Sequence, residues 1–274
     1  MCDCMAPGRS RKLDYAERWF RDGLAVCRPP AFVQSVEADV SRAKELIDRA
    51  RAQGLRLTYA TLFVRAVAIV LKSHPDLHVM VSGNKVHHPG RVDIAVSVAA
   101  DSVITPVLVI EGADQKTLPA LADEIVRRVP EVQKADRELQ AALRRWGWIL
   151  PFGVLRRALL RFLSRFMAFR RKGAGTFQVS VLSGVDSFAT PLFSTCGILT
   201  AGRVRDRVIV IGGKPLVRPT VHLTCSADHG MWNGKACEAF LLAVREVLET
   251  DVLSGEIGTD MGAGELNTPS PIGQ

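Results

Sequence analysis

The chain has 274 residues, is 47% hydrophobic and carries a formal net charge of +8, which suits one large buried core better than two full-sized domains. The charge is local: between Lys134 and Lys172, eleven basic residues face two acidic ones, Asp136 and Glu138, leaving the rest of the chain slightly acidic. With no groove-reading motif beside it, this basicity excludes a nucleic-acid-binding protein. No apolar h-region follows Met1, which predicts a protein that stays in the cytoplasm.

In chain order, Leu13 to Ala25 reads as a short amphipathic helix and Ala31 to Ala38 as a strand. Asp39 is the expected cap of a helix through Ala52 that Gly54 ends. Thr58 caps a strongly apolar helix, Tyr59 to Leu71, which His74-Pro75 terminates. A hairpin follows, Leu77 to Val81 and Lys85 to His87, around Ser82-Gly83-Asn84. Arg91 to Ala99 and Val103 to Val109 are strand-like. Thr117 is placed to cap a helix carrying Leu118, Leu121, Ile125 and Val129 on one face, with Pro130 as a break or a kink in it. Phe177 to Leu182, Gly197 to Val204, Val208 to Ile211 and Leu216 to Cys225 complete the strands, and Gly212-Gly213 makes a tight turn. A last helix spans Asn233 to Leu248. The mixture predicts an α/β (α+β layered) fold. Residues 1–12 and 251–274 read as flexible or disordered tails around a domain over 13–250.

Six cysteines, at 2, 4, 27, 196, 225 and 237, show no C-x-x-C pairing and read as reduced thiols. Cys225 sits in an apolar run as a small hydrophobe. No cluster has metal-ligand spacing, and neither a Walker loop nor a G-x-G-x-x-G is present, so no metal is expected. His222, His87 and His88 read as surface or sheet residues.

Ser226-Ala227-Asp228-His229-Gly230-Met231-Trp232-Asn233-Gly234 is the most informative segment. An imidazole there stands where a β-branched run stops and a helix starts, and its ordinary pKa near 6.5 suits it to accept a proton.

Several segments together resemble the catalytic domain of the 2-oxoacid dehydrogenase (dihydrolipoamide) acyltransferases, which shares its fold with chloramphenicol acetyltransferase. They are Glu37-Ala38-Asp39-Val40, Leu57-Thr58-Tyr59, His74-Pro75-Asp76-Leu77, Val92 to Val96 with Thr105-Pro106-Val107, and Gly175-Thr176-Phe177-Gln178-Val179-Ser180. The His229 segment is similar to the family's His-x-x-x-Asp-Gly signature, with Asn233 at the Asp position and Gly230 where Arg is common. What the resemblance implies is a mixed sheet flanked by helices, and a stand-alone enzyme without lipoyl or peripheral-subunit-binding domains.

It further implies transfer of an acyl group from a coenzyme A or carrier-protein thioester to a small-molecule acceptor. His229 would be the base and Ser180 the oxyanion donor, with Ser183 as the rival in a shifted register. Asn233 would hold the histidine loop and contact the facing subunit, and Asp228 is a further bracing candidate. Ser180 and His229 are 49 positions apart, and the resemblance implies that they meet across the subunit boundary of a homotrimer. Two alternatives are an O-acetyltransferase of a specialised-metabolite intermediate and a catalytically weak homologue acting as a scaffold.

The basic stretch 134–172 is the least family-like part. From Val154 to Phe169, Leu155, Leu159, Phe162, Leu163 and Phe166 can form an apolar stripe with Arg157, Arg161 and Arg165 beside it. Five or more arginines exclude a membrane span. Three readings stand: an amphipathic helical hairpin packed on its own core, a docking surface for an acidic carrier protein or a phosphate-bearing donor, and in-plane attachment to a membrane.

Overall fold

The computed structural model describes residues 12–27, 29–82, 84–100 and 105–257. Helix α1 (Tyr15–Cys27) leads into strand β1 (Ala31–Asp39), then helices α2 (Ser41–Ala52) and α3 (Tyr59–Ser73). The short hairpin β2 (Met80–Ser82) and β3 (Lys85–His87) precedes β4 (Ile94–Ser97), β5 (Val107–Ile110) and the long α4 (Leu118–Trp146). After α5 (Gly153–Leu163) and α6 (Met167–Ala174) come β6 (Phe177–Val181), β7 (Gly197–Ala201), β8 (Arg205–Ile211), β9 (Lys214–Asp228) and α7 (Gly234–Glu249).

Among the described residues, seven strands form one mixed sheet in the order β1-β9-β7-β6-β4-β5, with β8 paired to the first half of β9. β4, β6 and β7 run parallel, and the other pairings are antiparallel. Alternation gives the sheet two unlike faces. Phe177, Val179, Leu199, Leu223, Cys225 and Ala227 point into the core that α2, α3 and α7 close. Gln178, Ser180, Thr200, Thr224, Ser226 and Asp228 lie on the other, polar face. At the start of β6 two chains nearly touch, which only glycine permits: Gly175 has φ 64°, and a Cβ there would lie 2.5 Å from the Asp93 carbonyl oxygen.

Most of the expected elements form, with informative departures. Thr58 caps α3 by accepting from the Thr61 N–H. Asp39, by contrast, is one residue early: Val40 occupies the cap position of α2, and the Asp39 carboxylate takes the Ser41 N–H and hydroxyl. At the head of α4 the Thr117 side chain makes no cap bond, and Glu256 accepts the Leu118 N–H instead. Nor does Pro130 break α4, which runs 29 residues through it into the basic stretch. Pro130 and Val126, whose carbonyl loses its bond, both lie on the side of the helix turned to water, where the loss is tolerated.

Two further expectations need correcting. Within 251–257, read as part of a disordered tail, Leu253 is buried and Glu256 pairs with Arg65 at 2.8 Å; 258–274 and 1–11 lie outside the described residues. The basic stretch is helical, but its apolar stripe is not packed on a core of its own. Leu155, Phe162 and Phe166 are exposed, while Arg156 is buried against Asp22 on α1 at 2.7 Å.

Candidate active site

β9 continues beyond its expected end at Cys225 to Asp228, so His229 leaves the sheet directly into a tight turn. The Asp228 carboxylate accepts the Gly230 N–H at 2.9 Å, and its carbonyl accepts from Met231 and Trp232. Trp232 is buried, donates its indole N–H to the Leu77 carbonyl at 3.1 Å and packs on Phe177 and Phe240. Next to it, the Asn233 side chain caps α7 by accepting the Ala236 N–H at 2.8 Å. The turn is therefore held at both ends. His229 donates its backbone N–H to the Pro30 carbonyl at 2.9 Å, and its exposed ring tilts against Phe32 with centroids 4.8 Å apart.

A glycine at 230 offers its amide to Asp228 with little room for more, since a Cβ there would lie 3.2 Å from the carboxylate. Beside this turn, burial and the Asp228 carboxylate push the Cys196 thiol up to about 12. A thiol that is neutral at physiological pH is no nucleophile. Among the described residues no three or more His, Cys, Asp or Glu side chains gather as a metal would require.

Ser180 lies in β6, 6% exposed, on the polar face of the sheet. Ser183 lies beyond the strand end and is exposed. From Ser183 to Cys196 the chain crosses this face: the Phe188 carbonyl accepts from Thr200, and the Phe193 carbonyl accepts from Gln178 at 2.9 Å. Two residues past Ser180, Leu182 borders a groove of about 790 Å³ walled also by Thr105, Gln133, Arg137 and Arg144.

Asp228, His229 and Asn233 thus stand together, and Ser180 stands apart from them. Ser180 is opposite Thr200 in β7, which is opposite Thr224 in β9, five residues short of His229. At about 3.3 Å per residue along a strand and 4.8 Å between strands, roughly 19 Å separates the two Cα atoms. Within one chain they lie two strands apart and toward opposite ends of those strands.

One buried group near the site was not singled out by the sequence. His78 follows Leu77, the residue that receives the Trp232 indole, and its Nε2 lies 2.7 Å from the Thr176 hydroxyl. That hydroxyl donates to the Asp93 carbonyl and accepts the Asp93 N–H, which leaves a lone pair for the Nε2–H of a neutral ring. Burial pushes the imidazole down to about 4, against the opposing pull of Asp114 and Asp93. The folded chain therefore binds this proton less readily than the unfolded chain does. Stability is complete above the ordinary histidine value and declines as pH falls from there toward 4, by about 3 kcal/mol in all. Urea midpoints between pH 7.5 and 4.5 should show this slope, and His78→Gln should flatten it; equal slopes in the two proteins would refute the assignment.

Residues 25–140 and 171–254 match the family model "2-oxoacid dehydrogenases acyltransferase (catalytic domain)", and the chain belongs to that family. The match skips 141–170, the heart of the basic stretch. The chain is 28% identical over 202 residues to the lipoamide acyltransferase component of the branched-chain alpha-keto acid dehydrogenase complex of Bacillus subtilis, a match covering 73% of this chain and 41% of that protein. It is 24% identical to the dihydrolipoyllysine-residue succinyltransferase component of the 2-oxoglutarate dehydrogenase complex of Pseudomonas aeruginosa, over 76% and 44% of the two chains. The chain thus spans under half the length of these curated relatives.

The fold is shared with a probable dihydrolipoamide acetyltransferase of Listeria monocytogenes, with a TM-score of 0.64 at 21% identity over 93% and 98% of the two chains. It is shared also with the dihydrolipoamide acetyltransferase of Azotobacter vinelandii, with a TM-score of 0.65 at 18% identity over 92% and 100%. The latter structure was reported with the roles of a serine, a histidine and an asparagine in catalysis, the histidine and asparagine four positions apart. These alignments agree with the layered mixed sheet expected from the sequence.

Proposed function

We propose that this protein is an acyltransferase that moves an acyl group from a coenzyme A thioester to a small acceptor, at sites shared between the subunits of a homotrimer. The observation that carries the reading is the separation of Ser180 and His229. A base and an oxyanion donor roughly 19 Å apart in one chain cannot serve one carbonyl, so a second copy must supply one of them. One surface suits such a copy: the β8–β9 hairpin holds Val208, Val210 and Val217 in solvent.

In this reading His229 takes the proton of an acceptor thiol, hydroxyl or amine as it attacks the thioester carbonyl. The Ser180 hydroxyl of the neighbouring chain donates to the oxygen that becomes negative. Collapse of the tetrahedral intermediate breaks the carbon–sulfur bond, and the leaving thiolate takes the proton held on His229. Asn233 is a positioning residue, because capping α7 fixes the end of the His229 turn, and Asp228 braces the same turn through Gly230. The groove beside Leu182 offers Arg137 on its wall to a donor's phosphates, beside Asp136 and an Arg144 already paired with Asp14 at 3.2 Å. The histidine–asparagine spacing reported for the Azotobacter vinelandii enzyme recurs here in His229 and Asn233 and supports these roles.

Incubation with a panel of acyl-coenzyme A species and thiol, hydroxyl and amine acceptors, followed by mass spectrometry, tests the reading. Acyl transfer with release of free coenzyme A thiol is expected. If every acyl-coenzyme A stays intact with all three acceptor classes, the proposal fails.

A further inference from the structure

The stretch that the family model skips, 141–170, contains seven arginines and no acidic residue. It also carries Trp146, Trp148, Phe152, Phe162, Phe166 and Phe169, all exposed. Val154 is 70% exposed, Phe152 68%, Ile149 59% and Trp148 58%. An apolar surface of this extent on a soluble body marks a place where something binds.

α5 shows which way the surface faces. Successive side chains turn by about 100°, so with Arg156 set at zero, Leu160 and Leu163 fall within about 40° of it. Their partial burial agrees, and Arg156 itself is locked to Asp22 and donates to the Leu150 and Pro151 carbonyls. Between about 160° and 260° on the same wheel come Val154, Ala158, Phe162 and Leu155, and Arg157 and Arg161 flank them at about 100° and 140°. The helix is inside out: a charged residue anchors it to α1 while its aliphatic and aromatic arc meets solvent. Phe162 and Phe166 meet edge to face with centroids 5.2 Å apart, so the arc continues past the end of α5.

We propose that this segment seats the protein flat on an anionic lipid surface, with Trp148, Ile149, Phe152, Val154 and Phe162 entering the acyl boundary. Arg161 and Arg165 would meet the headgroup phosphates, joined by Arg157, which in the free protein leans on Asp22 at 3.7 Å. Charge selects this occupant: a cationic flank with no acidic residue in 141–170, set beside exposed aromatic rings, complements an anionic bilayer, in which tryptophan and arginine suit the interfacial depth. The segment lies on the surface and does not cross it, as no described helix is long and apolar enough to span a membrane. The proposal stands independently of the acyl-transfer reading.

Co-sedimentation of the full chain with phosphatidylcholine vesicles, and with vesicles containing one third phosphatidylglycerol, tests it. Binding to the anionic vesicles is expected to be at least about tenfold stronger and to weaken as salt screens the headgroups. Phe152→Gln/Val154→Gln/Phe162→Gln should lose about tenfold in partitioning with an unchanged melting temperature, since all three side chains already face solvent. Arg157→Gln/Arg161→Gln/Arg165→Gln should bind both vesicle types alike. Failure of the wild-type chain to sediment with either vesicle overturns the proposal. So does wild-type-like partitioning by the apolar triple variant, or a change in its oligomeric state, which would make the patch a contact between copies.

Discussion

His229→Ala is expected to lower turnover of a thioester donor by about 10³-fold, the usual contribution of a positioned general base, with the fold and assembly unchanged because the ring is exposed and tilts against Phe32 at the surface. Ser180→Ala should cost about 10²-fold or more, as loss of an oxyanion donor does. The sharper result comes from mixing them. In a ring of three, where each site takes His229 from one chain and Ser180 from the next, every mixed trimer holds one intact site. Random assembly of equal amounts should therefore restore about a quarter of the wild-type sites. Subunit exchange followed by a thiol-release assay reads this directly. A mixture no more active than its parents would place both residues in the same chain's site and sink the shared-site reading, whereas a fully active His229→Ala parent would sink the base assignment itself.

The sequence made the histidine end of the site legible because it is local. Asp228, His229 and Asn233 lie within six residues, and strand alternation followed by helical spacing fixes the turn between them. Ser180 could be found only through the Gly175 to Ser180 resemblance, as nothing in the local pattern distinguishes it from Gln178 in its own strand or from Ser183 just beyond it. His78 was invisible for a related reason: its partners, Thr176 and Asp93, are distant in sequence, and burial, which makes it unusual, has no local signature. In the basic stretch, periodicity revealed a helix with an apolar stripe and a row of arginines. It could not reveal which side faced inward, because that depends on contacts with α1, above all Arg156 with Asp22, formed across 134 residues. Arg156 falls one position outside the row of Arg157, Arg161 and Arg165.

The C-terminal segment carries the second large effect. From Asp251 onward the composition argues against order, yet one carboxylate there joins two helices. Glu256 takes the Arg65 guanidinium at 2.8 and 3.1 Å and the Leu118 N–H at 3.1 Å, which closes the head of α4. Arg65 also donates to the Ala113 and Asp114 carbonyls from within α3, where it is almost wholly buried. A chain ended at Thr250 would leave that buried cation with the Ala113 and Asp114 carbonyls but no counter-charge, and would uncover the site of Leu253. The expected loss is about 3–5 kcal/mol, the usual result of removing one partner of a buried ion pair. Urea unfolding monitored by far-ultraviolet circular dichroism would measure it. Arg65→Met in the full chain should be costly for the converse reason, since Glu256 is then left with only the Leu118 amide. Arg65→Met/Glu256→Gln should cost less than the two single changes combined, because removing both charges removes the desolvation penalty. Strict additivity in that cycle would mean that the two side chains do not act as a pair and that the tail is held by Leu253 alone.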